Sequence, residues 1–328
     1  MSALPESNGL LILPHLRIQN ANAISSPLTH GFPSMTAFLG VMWALERKLA
    51  SRQPITFDAV GVICHDHDEQ TTEGGYTKAF RLTRNPVDKD GSTAAIVEEG
   101  RIHLDVTLVF SVSGGFVERD EAERQVIADA IADVLAGMRL AGGSVLPPQR
   151  PRWQTLPKLI VMPETPADAA RQFRQLRRRW LPGFTLVCRD DLLQKRILEL
   201  RTANPAASAL DAWLDLSRFN WNPAPMEKSD DEKSKVEWKH DRSEGWIVPI
   251  PVGYGALSDP HPPGTVQNAR DQTTAFRFVE SLYSIGQWIS PHRLGDVREL
   301  LWYAHSDAPN GLYRCNNDYA RTVSATHD

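Results

Sequence analysis

Cysteine is scarce in this sequence, with only three in 328 residues. Cys64, Cys188 and Cys315 lie far apart and lack the paired spacing of a zinc site or a disulfide framework. This usage suits a reducing cytoplasm. No run of residues approaches the apolar length of a membrane span, and no basic region precedes an apolar one at the N-terminus. We therefore expect a cytoplasmic chain with neither a signal peptide nor a membrane anchor.

Sequence motifs for catalysis are also missing. Nothing matches a P-loop, a nucleophile elbow, a zinc-protease helix or a dinucleotide fingerprint, and Gly253-Tyr254-Gly255 is too short to count as one. A metal-independent ribonuclease needs only an imidazole and a nearby donor, and His103 and His292 are the candidates for that chemistry. Each is more commonly a surface or packing histidine. The sequence therefore favours a protein that is not an enzyme and has no cofactor.

The run from Cys64 to Glu69 raises the question of a metal site. On a strand, His65 and His67 would share one face, as two ligands should. No other cluster supplies the rest of a ligand shell. A polar strand end is the favoured interpretation, with no metal.

The net charge is −4, which argues mildly against nucleic-acid binding, but the charges are segregated along the chain. One predicted helix concentrates arginine without a compensating acid, a pattern that favours a polyanionic partner. A solvated helix face is the alternative. These arginines are Arg171, Arg174, Arg177, Arg178 and Arg179. Residues 226–244 are charged and poor in apolar residues, which predicts a mobile surface loop.

The order of predicted elements in the first half indicates an α+β fold. A strand at Leu10–Ile18, interrupted by Pro14, is expected at a sheet edge or bulge. Then follow a helix capped by Ser34, a strand at Ile55–Cys64, an inserted hairpin at about 70–100, a strand at Arg101–Phe110, a second helix and a strand at Lys158–Met162. This is the βαββαβ plan, with both helices on one face of an antiparallel sheet. We expect the other face to be open, although the aromatic signature for stacking RNA bases there is missing.

Periodic patterns predict which side of these elements faces the core. In the first helix, Phe38, Met42, Leu45 and Leu49 line one face. In the second helix, the apolar residues at helical spacing are Val126, Ile127, Ala130, Ile131, Val134 and Leu135. Along the strand Arg101–Phe110 the residues alternate: Ile102, Leu104, Val106, Leu108 and Phe110 face the core, and Arg101, His103, Asp105 and Thr107 face outward.

The stretch Gly137–Pro147 predicts a glycine-rich loop after the second helix. Gly142 and Gly143 lack Cβ atoms, so their amides could approach a phosphate closely. Arg139 could hold that phosphate with its guanidinium fork. An ordinary connection between helix and strand is the alternative interpretation.

Ten collinear stretches together resemble one family, the subunit of the type I-F CRISPR surveillance complex (the Csy complex) that holds the 5′ handle of the guide RNA. They cover nearly the whole chain: Ile18–Leu28, Gly31–Pro33, Leu82–Pro86, Asp90–Arg101, Met138–Ser144, Leu181–Phe184, Val248–Pro251, Asn268–Asp271, Ser290–Arg293 and Leu301–Tyr303. The resemblance implies an RRM-like (ferredoxin-like βαββαβ) domain at 1–165 with a projecting thumb hairpin. A smaller, irregular α/β C-terminal part would follow at 166–328.

The resemblance also implies a function and a set of partners, and it suggests a role for residues already noted. Such a subunit has no nuclease activity, pairs with the large subunit that reads the PAM, contacts the first backbone subunit, and meets target DNA through the assembled complex. A repeat-processing endoribonuclease and a purely structural adaptor remain the alternatives. The candidate RNA-binding residues are Asn20, Asn22, Arg84, Asn85, Arg139, Gly142, Gly143, Ser144, Asn268, Arg270, His292 and Arg293.

Overall fold

A computed structural model of the protein describes residues 4–84, 87–88, 90–219, 221–225, 236–240 and 245–325. Within these ranges the helices are α1 (Met35–Leu49), α2 (Glu121–Ala136), α3 (Arg152–Thr155), α4 (Pro166–Arg179), α5 (Asp190–Ala203), α6 (Ala209–Ser217) and α7 (Tyr319–Ala325). In the first half, the strands are β1 (Gly9–Asn22), β2 (Ile24–Ser26), β3 (Thr29–His30), β4 (Ile55–Glu69), β5 (Thr71–Gly74), β6 (Thr77–Phe80), β7 (Leu82–Arg84), β8 (Ile96–Glu98), β9 (Arg101–Gly114), β10 (Arg139–Leu140), β11 (Gly143–Leu146) and β12 (Lys158–Val161). In the second half they are β13 (Phe184–Cys188), β14 (Trp221–Pro225), β15 (Val236–His240), β16 (Trp246–Ala256), β17 (Val279–Ile289), β18 (Trp302–Asp307) and β19 (Leu312–Asn317).

The two long helices of the first half begin at capping side chains. The Ser34 hydroxyl accepts a hydrogen bond from the Thr36 N–H at the start of α1, and Asp120 forms a capping box with Glu123 at the start of α2. The predicted buried face of α1 is confirmed, because Phe38, Met42, Leu45 and Leu49 are all buried. In α2 the buried residues are Ala128, Ile131 and Leu135. The prediction that Val126 belongs to this face was wrong, because its side chain is 68% exposed.

The first half of the chain forms one side of a large antiparallel sheet. Strands β11 and β12 both pair with β1, which pairs with β9, which pairs with β4. The bulge predicted at Pro14 is confirmed by a register shift between Leu13 and Leu16, but β1 is not an edge strand. Pro14 is tolerated there because β12 pairs with Gly9–Ile12 and β11 with Arg17–Gln19. The residues between these two pairings need no backbone donor on that edge.

The second half extends the same sheet from the other edge of β4. The strands follow in the order β13, β17, β16, β19 and β18, and β18 returns to β4 through the pair Trp302 and Val60. Inside this ring Trp302 is fully buried, and its indole N–H donates to the Leu186 carbonyl at 2.8 Å. The sheet therefore continues across residue 165, where the resemblance implies a domain boundary.

Both faces of the sheet are covered over part of their area. Helices α1 and α2 pack on the face that includes Leu11 and Leu108, and both helices contribute to that core. On the opposite face, Leu10, Ile12 and Val109 pack against Phe173, Leu176 and Trp180 of α4 and the residue after it. The expectation of a fully open second face was therefore wrong, since the apolar side of the arginine-rich helix closes one end of it. The other end carries polar side chains from β1, β4 and β9.

Two further predictions concern loops. The insertion at about 70–100 is not one hairpin but two short ribbons, β5–β6 and β7–β8. Within the charged stretch 226–244, residues 236–240 form β15, which pairs with β14, and the other residues of that stretch lie outside the described ranges. In the part of the chain that the structure describes, no helix is long and apolar enough to cross a membrane.

Candidate nucleic-acid interface

The stretch predicted as a glycine-rich loop folds into a tight β-hairpin. Arg139 pairs with Ser144 and Leu140 with Gly143, which leaves Ala141 and Gly142 as a two-residue turn. Both turn residues have positive φ, 48° and 81°, as a type I′ hairpin turn requires. The Asn22 N–H donates to the Ala141 carbonyl at 2.8 Å and anchors the turn to β1.

Glycine is needed at the two positions of this hairpin for different physical reasons. Gly143 is buried, and a Cβ there would lie 2.7 Å from the Ala21 nitrogen and 2.8 Å from the Gln19 oxygen. Gly143 therefore lets the hairpin pack directly against the backbone of β1. Gly142 is exposed and has open space around it, so its glycine is explained by its positive φ alone.

The exposed side of this hairpin borders a cavity of about 440 Å³, here called the hairpin cavity. It brings together residues from β1, the end of β4, the β7–β8 ribbon, β9 and the hairpin. Four of the predicted residues line it, namely Asn20, Arg139, Gly142 and Ser144. Six others complete the lining: Gln19, Gln70, Arg81, Thr83, Glu99 and Arg101.

The hairpin cavity is electropositive. Among its described lining residues, three guanidinium groups stand against a single carboxylate. Glu99 accepts from Arg101 Nη2 at 2.7 Å, and this bond, with one from Thr83, lowers the pKa of Glu99. Arg81 and Arg139 form no ion pair with any described residue. The Arg139 guanidinium donates one hydrogen bond within the described ranges, to the Gly142 carbonyl at 3.4 Å. Two uncompensated guanidinium groups beside amide and hydroxyl side chains form a site suited to a phosphodiester backbone.

Asn20 reaches the cavity because β1 is irregular there. It has a positive φ of 57°, within a register shift between Ile18 and Ala21. Its N–H donates to His103 Nδ1 at 3.2 Å. The bulge turns Asn20 outward beside Gln19, a device that no periodic pattern in the sequence reveals.

Several predicted residues lie elsewhere. Asn22 forms an Asx turn in which its amide donates to the Ile24 carbonyl and its oxygen accepts from the Ile24 N–H. Arg84 is exposed on β7 but does not line the hairpin cavity, and Asn85 lies outside the described residues. Arg81 and Thr83 line the cavity in their place, because alternate residues of an extended chain share one side.

The predicted residues of the second half are also exposed outside this cavity. Asn268 and Arg270 lie between β16 and β17. His292 and Arg293 lie in the 3-10 turn Pro291–Arg293, which contacts α4. The structure does not bring these four residues to the hairpin.

The polar end of the second sheet face contains a network that the sequence analysis missed. The His15 Nδ1–H donates to Asp105 at 3.0 Å, and Arg150 holds the other oxygen of that carboxylate at 3.1 Å. His65 lies between the Pro182 carbonyl at 2.7 Å and the Thr107 hydroxyl at 2.8 Å, with its ring 4.1 Å from that of His15. The carbonyl requires Nδ1–H, so the hydroxyl donates to Nε2.

This network fixes protonation states. Burial lowers the pKa of His65, which keeps the ring neutral. Burial raises the pKa of Asp105, but its bond to His15 and the nearby cations outweigh that effect and leave the pKa lowered. Within the described ranges no group of three or more His, Cys, Asp or Glu side chains is arranged to hold a metal ion.

Two comparisons with known proteins agree over nearly the whole chain. Residues 11–315 match the family described as CRISPR-associated protein (Cas_Csy2). The chain is 47% identical over 317 residues to CRISPR-associated protein Csy2 of Pseudomonas aeruginosa (strain UCBPP-PA14). That alignment covers 95% of this chain and 96% of the relative.

Proposed function

The chain belongs to the Cas_Csy2 family of CRISPR-associated proteins, and from this premise we propose that it is the non-catalytic subunit that holds the 5′ handle of the guide RNA in a type I-F CRISPR surveillance (Csy) complex. In that role it caps one end of a cytoplasmic ribonucleoprotein. It pairs with the large PAM-reading subunit and contacts the first backbone subunit. Target DNA meets the chain through the assembled complex.

The observation that carries this proposal is the hairpin cavity. Asn20 of β1 and the hairpin residues Arg139, Gly142 and Ser144 come from two distant parts of the sequence and line one electropositive cavity. Phosphates would contact Arg81 and Arg139, the two guanidinium groups of the cavity that form no ion pair with a described residue. Asn20 and Ser144 would supply hydrogen bonds to sugar or base edges.

The strand order supports an RRM-like first half. Its principal strands in chain order are β1, β4, β9 and the segments β11 and β12, which lie along the same edge of β1 and count as one strand. Across the sheet these strands follow in the order fourth, first, third, second. This is the order of a ferredoxin-like βαββαβ sheet, with α1 and α2 on one face. The β7–β8 ribbon then takes the position of the thumb, beside the cavity through Arg81 and Thr83.

The two candidate histidines lie at different places in the fold. His103 accepts from the backbone of Asn20, whereas the His292 ring lies 2.8 Å from the Ser290 hydroxyl. The non-catalytic role predicts that repeat RNA incubated with the pure protein stays intact. Cleavage of that RNA would favour the endoribonuclease alternative.

The test is the salt dependence of binding to handle RNA by the assembled complex, with Arg139→Ala and a matched control. Each phosphate contact on a single strand contributes about 0.7 to the slope of log affinity against log salt. We expect Arg139→Ala to lower the slope by about that amount. Arg52→Ala removes the same charge from an exposed position outside the cavity and leaves the slope unchanged. An Arg139→Ala slope equal to that of the unsubstituted complex would remove this arginine from the phosphate contacts.

A further inference from the structure

A second cavity, of about 670 Å³, is lined by aromatic side chains and is here called the aromatic groove. It lies between the end of β4, the β3–α1 connection and strands β13, β16 and β17. Its aromatic lining consists of Phe32, Phe184, Trp246 and Trp288. Trp246 is 50% exposed and Phe184 is 45% exposed. Large aromatic side chains exposed together in one concave site are typical of binding surfaces.

These rings form a continuous chain of contacts. Phe184 lies 5.8 Å from Trp246, which lies 5.9 Å from Trp288, which lies 4.9 Å from Phe32, measured between ring centroids. Each ring therefore holds the next in place. Because the chain of rings is already packed, an incoming group meets fixed aromatic surfaces and little ordering entropy opposes binding.

The rim of the aromatic groove is acidic. Asp66, Asp68 and Glu69 line it, and Lys78 is the one lysine or arginine among the lining residues described. That lysine is 2.8 Å from Glu73, so its charge is already balanced. Glu69 has a histidine partner, His30, at 3.0 Å. Asp66 and Asp68 are exposed and form no ion pair with any described lysine or arginine.

Asp66 accepts from the His67 N–H and Asp68 from the Gln70 side chain, so neutral groups are their hydrogen-bond partners. Aromatic faces beside carboxylates that have no described lysine or arginine partner favour a cation. A lysine or arginine side chain is attracted to the face of a tryptophan, and a guanidinium also pairs with a carboxylate. A nucleic-acid backbone would be repelled by the same carboxylates.

The edge of β16 carries Pro249 and Pro251 at alternate positions, which removes two backbone donors from one side of that strand. An added β-strand would lack those bonds, so side chains must hold the occupant.

We propose that the aromatic groove binds a segment of a partner protein that inserts an arginine or lysine side chain between Trp246 and the carboxylates of Asp66 and Asp68. The site is separate from the hairpin cavity, because the two share no lining residue. They are nevertheless close, since Arg101 lines the hairpin cavity and the next residue of β9, Ile102, lines the aromatic groove. One end of the sheet thus carries two neighbouring sites, one cationic and the other acidic.

Photocrosslinking identifies the occupant. Benzoylphenylalanine is placed at position 246, the chain is purified with the proteins that assemble with it, and the irradiated complex is digested and sequenced by mass spectrometry. We expect an adduct with a peptide of a different protein that has an arginine or lysine within about four residues of the crosslink, roughly the reach of one long side chain along an extended segment. An adduct with nucleic acid, an adduct within the same chain, or no adduct would each overturn the proposal. The same photoreactive residue at position 153, where the native Trp153 is 77% exposed outside the groove, should not capture that peptide.

Charge reversal gives the matched functional test. The double variant Asp66→Lys with Asp68→Lys should lower the yield of the position-246 adduct by about tenfold at low salt, because like charges would then meet across the interface. Asp133→Lys reverses an exposed carboxylate on α2 and should leave the yield unchanged. Thermal melting of each variant reports folding separately. An undiminished adduct in a folded double variant would overturn the role of the carboxylates.

This test separates the groove from the RNA proposal. A basic peptide crosslinked at position 246 in a complex that lacks RNA would support the groove and contradict handle binding. Bound RNA without that crosslink would do the reverse.

Discussion

Replacing Glu99 by glutamine should strengthen RNA binding. Glu99 is the one carboxylate among the described residues that line the hairpin cavity, which it shares with the guanidinium groups of Arg81, Arg101 and Arg139. It accepts from Arg101 Nη2 at 2.7 Å, with 31% of its side chain exposed. Glutamine has nearly the same shape and still offers a carbonyl oxygen to Arg101, so the geometry is retained while one negative charge is removed.

The magnitude follows from Coulomb's law. A carboxylate and a phosphate that share one guanidinium lie about 7 Å apart, and at that distance two unit charges repel by about 0.6 kcal/mol in water. An effective dielectric constant of about 20 would raise this to about 2.4 kcal/mol. Since Glu99 is partly exposed, the lower value applies, and affinity for handle RNA should rise about threefold.

The assay is equilibrium binding of handle RNA to the assembled complex at two salt concentrations. The gain from Glu99→Gln should shrink at the higher concentration, because screening weakens the repulsion that the substitution removes. The control is Glu73→Gln, which removes the same charge from an exposed pair with Lys78 on the β5–β6 ribbon, outside the cavity. Unchanged or weakened binding by a folded Glu99→Gln variant would refute the assignment of this cavity to a phosphate backbone.

Three further predictions concern stability and reactivity. Gly143→Ala should destabilise the protein by about 3 kcal/mol, because its Cβ would meet fixed backbone atoms. Gly142→Ala should cost about 1 kcal/mol, because the position has open space and only its positive φ causes strain. Urea unfolding measures both losses of stability, and equal losses would contradict the packing of Gly143. Burial lowers the pKa of His65, so as the pH falls the unfolded state takes up this proton before the folded state does. The free energy of unfolding should therefore fall as the pH drops below about 6.5, and it should fall less in His65→Gln. Urea titrations at pH 7.5 and 5 test this, and identical pH slopes in the two proteins would contradict it. Burial raises the pKa of the Cys64, Cys188 and Cys315 thiols to about 12. A disulfide reagent at pH 8 should therefore react with them only after denaturation, and rapid reaction of any of the three in the native protein would contradict their burial.

Local patterns predicted much of the first half of the fold. The cap at Ser34 and the apolar spacing of α1 are local properties, and so is the alternation along β9, where Ile102, Leu104 and Val106 are buried as predicted. The same reasoning misplaced Val126, because the orientation of α2 depends on which neighbours it meets in three dimensions. The cover of α4 over Leu10 and its neighbours is likewise a long-range contact that no periodic pattern encodes.

The hairpin cavity was predictable in part. Asn20, Arg139, Gly142 and Ser144 were candidates from residue type, and the structure places all four at one cavity. Arg81 was missed in favour of Arg84, since the choice depends on the register of a short ribbon that the sequence does not fix. Arg101 was recognised as an outward-facing strand residue, but its neighbours come from pairings of distant segments. The alternation of β9 was the one signal that could have identified it.

Ultraviolet crosslinking of the purified complex, followed by sequencing of the RNA and of the crosslinked peptides, tests the central claim most directly. Handle binding predicts RNA with a single repeat-derived 5′ end, attached to peptides that contain residues 19–20, 81–83 or 139–144, which line the hairpin cavity. An assembled complex without RNA, or RNA attached to this chain only at peptides outside that cavity, would contradict it.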